Sequence, residues 1–329
     1  MSAPATPATP AASAAPTVPL VVTRELPRGR RPARDRSGLL VELWLRSHTW
    51  LVYVFLYLPI VVVVVFSFNA STRVTNWTGF SLHWYEFVLA SKEIQRNLIN
   101  SLIVGVATAT VSTIIGTMAA LGIQRAPKWF RLPFDALTYV SLIVPEIVIA
   151  LSTLVFFAVT IGRGGLLSNL TGEPEIGLGY HTIVGALSVF NISLVLLLVQ
   201  ARLSNMDRTH IEASFDLYGT PWRTFWQITF PQLLPAIVAG YLLSFTFAFD
   251  DYIITSFVHG TNQTTIPLYV FGALRKGVNP STNAVAALML FVTLAILIVG
   301  QYLLSRQARK AGTAGPAGVA GMIVEQQGG

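Results

Sequence analysis

Residues 97–123 read NLINSLIVGVATATVSTIIGTMAALGI. No Asp, Glu, Lys or Arg interrupts the run, and its apolar residues do not alternate strictly with polar ones. A helix of about 20 residues crosses the hydrocarbon core of a bilayer, whereas a barrel strand needs only about 10. The run therefore reads as a membrane helix. Five further apolar runs of comparable length flank it, at 50–68, 134–161, 181–201, 237–257 and 282–304. Together they explain why the 329-residue chain is 53% apolar and only 11% charged, where soluble domains carry about 25% charged residues. The expected fold class is an all-α integral membrane protein with six transmembrane helices.

The flanks set the organisation. The first 20 residues are low-complexity Ala/Pro/Thr, followed by an Arg-rich run from Arg24 to Arg36. Residues 1–45 are expected to form a disordered basic tail, 46–306 the six-helix domain, and 307–329 a second disordered tail. The first apolar run begins too far into the chain for a cleaved signal peptide, so it is taken as a retained helix. Of the 22 Lys and Arg residues, sixteen fall in the N-terminal tail, the loops after helices 2 and 4, and the C-terminal tail. The excess of positive charge predicts that both termini are cytoplasmic. The net charge of +7 thus reads as topology and attraction to anionic membrane lipid, with no nucleic-acid partner. The chain has no Cys, which excludes disulfides, thiol catalysis and Cys-ligated metals. No metal site or cofactor of its own is expected.

The loop between helices 4 and 5, residues 205–235, reads NMDRTHIEASFDLYGTPWRTFWQITFPQLLP. Residues 209–218 lack Pro and Gly, and place Ile211, Phe215 and Leu217/Tyr218 on one side with Glu212 and Asp216 four apart. The spacing predicts a helix ended at Gly219-Thr220-Pro221, then a second short helix, Trp222–Phe230, ended at Pro231. An amphipathic helix–turn–helix beside a membrane helix suits insertion into a groove on a partner. On the opposite side, the loop 69–96 offers Trp77, Trp84 and Tyr85 as interfacial anchors. The loop 258–281, with Arg275-Lys276, is a candidate docking surface for an external partner.

Within the six runs there is no Lys or Arg, yet three acids lie well inside: Glu146, Asp250 and Asp251. Each costs about 3 kcal/mol to insert at a helix centre, and such groups face a bundle interior or a water-filled path. Their uniform sign points to a path for a cation, whose ammonium groups need carboxylates or aromatic faces. Helices 3 and 5 run the same way, which places the acids at similar depth. Adjacent helical residues differ by about 100° in direction, so Asp250 and Asp251 cannot both face the path. Pro145 is expected to kink helix 3 just before Glu146.

Glu212-Ala213-Ser214, then Gly219, Ile228 and Pro231, resemble the EAA loop of ABC-transporter permeases. Ser214 replaces an Ala, Phe230 a Leu, and Gly219 falls one place after the usual Gly, leaving Tyr218 in its position. The turn is therefore expected to shift by one residue. WTGFSLHWYEF, VPEIVIA, SFTFAFDDYIITSF and IPLYVFGALRKGVNPSTNAVAAL extend the resemblance, over about residues 45–305, to the spermidine/putrescine importers, second-permease type. It implies a type I, MetI-like permease of the bacterial plasma membrane, not itself an enzyme. It also implies a sister permease, two copies of a cytoplasmic ATPase using ATP and Mg on the EAA loops, and an external polyamine-binding protein. Asp250 is then the path residue, with Glu146 and Trp84 as companions and Asp251 bonded to backbone or partner. The coupling residues are Glu212, Ala213, Ser214, Asp216, Gly219, Ile228 and Pro231. The chain contains no G-x-x-x-x-G-K-[ST] phosphate loop, so nucleotide energy has to arrive through a partner. The residues by themselves also admit another organic cation or amino-acid-derived solute, an ATP-independent transporter using the acids as a proton relay, or a membrane scaffold.

Overall fold

The computed structural model describes residues 36–310, except 74–75, 163–164, 167–168, 170–176, 208 and 278–279. Most of the two tails expected to be disordered, residues 1–35 and 311–329, lies outside the described residues. The described chain is helical, and its one pairing of extended segments is an antiparallel bridge between Asn69 and Phe80. Helix α1 (Arg36–Phe66) begins earlier than its apolar run. The polar extension carries Arg46 and Glu42 one turn apart, with Arg46 Nη2 2.7 Å from Glu42 Oε1.

Two compact units are distinguished, Met1–Tyr57 and Leu58–Gly329. The described part of the first is most of α1, an apolar rod with Trp50, Leu51 and Phe55 exposed. The second holds α2 (His83–Ala90), α3 (Lys92–Arg125), α4 (Lys128–Ile143), α5 (Glu146–Thr160), α6 (Tyr180–Ser204) and α7 (Thr209–Asp216). It continues with α8 (Pro221–Asp250), α9 (Ile253–Val258), α10 (Ile266–Lys276) and α11 (Pro280–Lys310). Among the described residues, five helices are long and apolar enough to cross a membrane: Val41–Phe66 of α1, then α3, α6, α8 and Pro280–Tyr302 of α11. The pair α4–α5 makes a sixth crossing if its two bent halves are one span.

The centre of the second unit is the packing of α3 on α6 and α8. One face of α3 is a stripe of small or short polar residues, among them Gly105, Thr108, Ala109, Ser112, Gly116 and Ala120, all buried. Small side chains at three- and four-residue spacing let backbones approach, which is how helices associate where no hydrophobic effect separates protein from lipid. At Gly116 the approach is closest to a limit: a Cβ there would stand 3.0 Å from the Ile192 carbonyl oxygen and 3.1 Å from the Leu196 nitrogen. Below this contact Ala120, Val195, Val199, Leu203 and Leu233 form one buried cluster. Above it Val104, Ile149, Ile183, Leu187, Ala248 and Ile254 form another, which adds α5 and α9.

Polar side chains lash the segment after α9 to the starts of α3 and α6. Thr182 Oγ1 donates to Val258 O (2.7 Å), Asn100 Nδ2 to Thr264 O (2.9 Å), and Ile266 N to Ser101 Oγ (2.8 Å). Tyr180 OH donates to Asn100 Oδ1 at 2.6 Å and fixes the amide's orientation. The bonds to Val258 O and from Ile266 N satisfy backbone groups that the end of α9 and the start of α10 leave free.

Two expected helices differ from the structure. Helix 3 is not one kinked rod: α4 and α5 meet at 105°. Val144 (ψ 128°) and Pro145 (ψ 135°) are both extended, because the proline ring drives the preceding residue out of the helical region and supplies no N–H. The short helix expected at Trp222–Phe230 is not separate either. It is the start of α8, which runs on through Pro231 and Pro235. Pro231 would clash with the carbonyl four residues back in a regular helix. Phe225–Thr229 adopt a wider π turn instead, with Phe230 N–H bonded to Phe225 O. The helix consequently starts and ends earlier than the run 237–257.

Gly116→Val forces the α3 and α6 backbones apart. Overpacking of this kind costs about 1–3 kcal/mol, so a clear drop in melting temperature of the detergent-purified protein is expected. Gly122→Val, where an added Cβ meets nothing within 4 Å, leaves it unchanged.

Candidate functional site

The acid pair Asp250-Asp251 does not lie on one continuous helix. Asp250 is the last residue of α8, and Asp251 is extended (φ −67°, ψ 128°). After Tyr252 the chain re-enters a helix at Ile253. The Asp251 carboxylate faces this second helix: Oδ2 accepts from Thr255 N and Thr255 Oγ1, both at 2.8 Å, and Oδ1 from Ile254 N at 3.4 Å. It therefore caps α9, satisfying donors that a helix start leaves free. The reason for the split between the two acids is the helix break, rather than the 100° step expected from a continuous helix.

Asp250 sits in the opposite environment. It is exposed in the chain alone, and it forms no ion pair or side-chain hydrogen bond among the described residues. The C-terminal end of α8 presents the negative pole of the helix dipole, which repels an anion and attracts a cation. A free carboxylate at such an end is an arrangement for holding positive charge. Glu146 opens α5, directly after Pro145, and is half-buried. Helix α9 packs on α5. By contrast Asp135, at the mouth of the same bent pair, is paired: Arg131 Nε stands 3.6 Å from Oδ2, and Gln200 Nε2 donates to Oδ1 at 3.1 Å. Trp84 belongs to another cluster. Its indole N–H donates to Asn69 O at 2.9 Å, and its ring packs with Val88, Ile94, Ile266 and Ala284. The structure thus packs α5, which Glu146 opens, against α9, which Asp251 caps, and places Trp84 in a separate cluster. Tyr252, stacked on Phe271 at 3.9 Å between ring centres, ties the helix break to α10.

The second constellation is α7 with the turn into α8. Asp207 precedes α7, and its Oδ1 accepts from Thr209 N at 2.9 Å. The bonds from Thr209 hold this carboxyl below the usual Asp range. Glu212, Ala213 and Asp216 are exposed. The helix ends in a Schellman motif: Gly219 N bonds Ser214 O (2.8 Å), and Tyr218 N bonds Phe215 O (3.0 Å). The left-handed residue of this motif is Tyr218, at φ 59°. The turn is therefore not shifted as expected: Tyr218 stands where the family pattern has Gly, and takes glycine's conformation at a cost of about 1–2 kcal/mol. Gly219 is required for a different reason, since a Cβ there would meet Ser214 Oγ at 2.5 Å and Ser214 O at 2.6 Å. Ser214, in place of the family's Ala, bonds Thr224 Oγ1 at 2.8 Å and pins α7 to the start of α8. Ile228 lies in the π turn that Pro231 imposes, and Phe230 packs on Trp226 with ring centres 5.0 Å apart.

Sequence reasoning missed Thr255 and the break at Asp251. The signal was present: an Asp ahead of an apolar run is also an N-cap signal.

The described chain is a set of membrane-length helices with a capped amphipathic turn beside one of them, and comparison with known proteins gives its class. Residues 112–311 match the family of binding-protein-dependent transport system inner membrane components, and the chain belongs to that family. The putrescine transport system permease protein PotI of Escherichia coli K12 is 36% identical over 78% of this chain and 89% of its own length. The spermidine/putrescine transport system permease protein PotC of the same strain is 32% identical over 80% and 94%. Among solved structures, a bacterial ABC transporter that imports alginate superposes with a TM-score of 0.66 at 15% identity, over 83% of this chain and 97% of that one. The methionine transporter MetNI gives 0.51 at 18% identity, over 66% and 99%. The chain has the MetI-like fold of an ABC importer permease, a multi-pass protein of the bacterial inner membrane, and is a transport component rather than an enzyme.

Asp251→Ala removes the α9 cap and is expected to cost about 1 kcal/mol, read as a lower melting temperature. Asp250→Asn, which breaks no bond in this chain, leaves the melting temperature unchanged.

Proposed function

We propose that this chain is one membrane half of an ATP-driven importer of polyamines. It pairs with a sister permease, docks two copies of a cytoplasmic ATPase through α7, and receives its cargo from an external binding protein. The observation that carries this reading is Asp250, an unpaired carboxylate on the last residue of α8, where the dipole also favours a cation. A polyamine carries several ammonium groups along a flexible chain, and Asp250 and Glu146 supply anionic partners for them. Trp84, in its own cluster with Val88, Ile94 and Ile266, offers an aromatic face to a cation at a different point of the path, while Asp251 holds the break open as a cap. The transported solutes named for PotI and PotC, putrescine and spermidine, support the choice of substrate. Both termini and α7 then lie on the cytoplasmic side, as the distribution of Lys and Arg predicts. Glu212, Ala213, Ser214, Asp216, Gly219, Ile228 and Pro231 build the coupling surface, at which the partner uses its ATP and Mg.

Two substitutions separate the parts of the proposal. In a strain lacking the native permease, Asp250→Asn should lower uptake of labelled putrescine or spermidine about tenfold or more, with the ATPase still co-purifying. Uptake at the wild-type rate would remove Asp250 from the path. Glu212→Arg should abolish ATPase co-purification and uptake together while external delivery by the binding protein persists. A normal yield of complex would count against α7 as the coupling element.

A further inference from the structure

We propose that Tyr218 is the aromatic anchor by which this permease engages its ATPase, its ring entering an apolar pocket with a basic rim. The inference rests on the coupling function assigned above to α7. Its starting point is a local cost with no local return. A helix ending in a Schellman motif needs a residue that tolerates positive φ, and Gly or Asn does so freely. Here a bulky aromatic is held at φ 59°, a conformation that is an outlier for such a side chain. Tyr218 is 97% exposed, and its side chain makes no hydrogen bond or ring contact among the described residues. Strain that the fold does not need is the kind kept for recognition.

The surroundings state what the partner must offer. Leu217 (82%) and Trp222 (72%) are exposed beside Tyr218, and Phe215 is half exposed. They form an apolar edge at the tip of the turn. On the α7 side Glu212 and Asp216 flank it with negative charge, which a basic rim complements, and on the α8 side Arg223 adds a single positive charge. Exposed tyrosine and tryptophan in a water-excluding pocket are the side chains on which interfaces most often concentrate their energy. The left-handed backbone is what brings the phenol to the tip, while Gly219 and the Ser214–Thr224 bond hold the turn beneath it. The coupling role proposed above for α7, in a chain of an importer-permease family, makes the occupant of this edge the ATPase subunit.

The test uses the assembled permease pair in lipid nanodiscs, titrated with its ATPase subunit. Tyr218→Ala keeps the strained backbone and deletes the ring; Tyr218→Gly deletes both; Tyr218→Phe keeps ring and strain. Affinity should fall about tenfold in the Ala and Gly variants and stay close to wild type in the Phe variant. The melting temperature of the ATPase-free pair should rise in the Gly variant alone. Wild-type affinity in the Ala and Gly variants, with Glu212→Arg deficient, overturns the role of Tyr218 and leaves the coupling loop standing. Wild-type affinity in all of them, Glu212→Arg included, overturns the coupling loop and this inference with it. A loss confined to the Gly variant assigns the effect to backbone rigidity and also overturns the anchor.

Discussion

Three hydrogen bonds converge on one carboxylate, that of Asp251, and they allow the chain to break within an apolar segment. A helix start leaves its first N–H groups without partners, and an apolar surrounding offers no water to take them. Asp251 accepts from Ile254 N, Thr255 N and the Thr255 hydroxyl. The chain can then leave α8, cross Tyr252 and begin α9 against α5. Because the break is satisfied from the α9 side, Asp250 remains at the carboxyl end of α8 with no ion pair or side-chain hydrogen bond among the described residues. Two adjacent residues of the same type are thus divided by the two poles of two helices: one holds the backbone, and the other makes no side-chain bond among the described residues.

Helix α8 connects this site to the turn after α7. It is 30 residues long, about 45 Å at the usual rise per residue. Its first turn is held to α7 by Ser214 and Thr224, and its last residue is Asp250. Along its length it packs on α3 and α6, whose backbones approach closely at Gly116. Close-packed interfaces of this kind shift as units rather than bend. In the proposed importer, displacement at the docking turn is therefore passed along α8 as a rigid movement to the carboxylate at its far end. The one irregular stretch is the π turn at Phe225–Thr229, placed between the docking turn and the packed part of the helix.

Much of this was legible in the residues. Long apolar runs, the absence of Lys and Arg within them and the Glu-Ala-Ser to Pro231 pattern led to a six-helix permease, because burial in lipid is a property of each segment taken alone. The bend at Pro145 was legible as a kink, since proline acts on its own neighbours, although not its size of 105°. Asp251 was legible as an acid but not as a cap, because an uninterrupted apolar run reads as one helix whether or not it breaks inside. The separation of Trp84 from Glu146 was not legible. Which cluster a side chain joins depends on helices distant in sequence, here α10 and α11.

The sequence by itself determined which segments are apolar and long enough to cross a membrane and which residue types carry charge there, since both follow from local composition. Only the tertiary structure decided how two neighbouring aspartates divide their roles, and that Tyr218 rather than Gly219 takes the left-handed turn. Both depend on where backbone donors and atoms of other residues end up. The Asp251 carboxylate is committed because α9 starts beneath it. Gly219 is confined because Ser214 and Thr224 close over it, and the positive φ falls to the tyrosine before it.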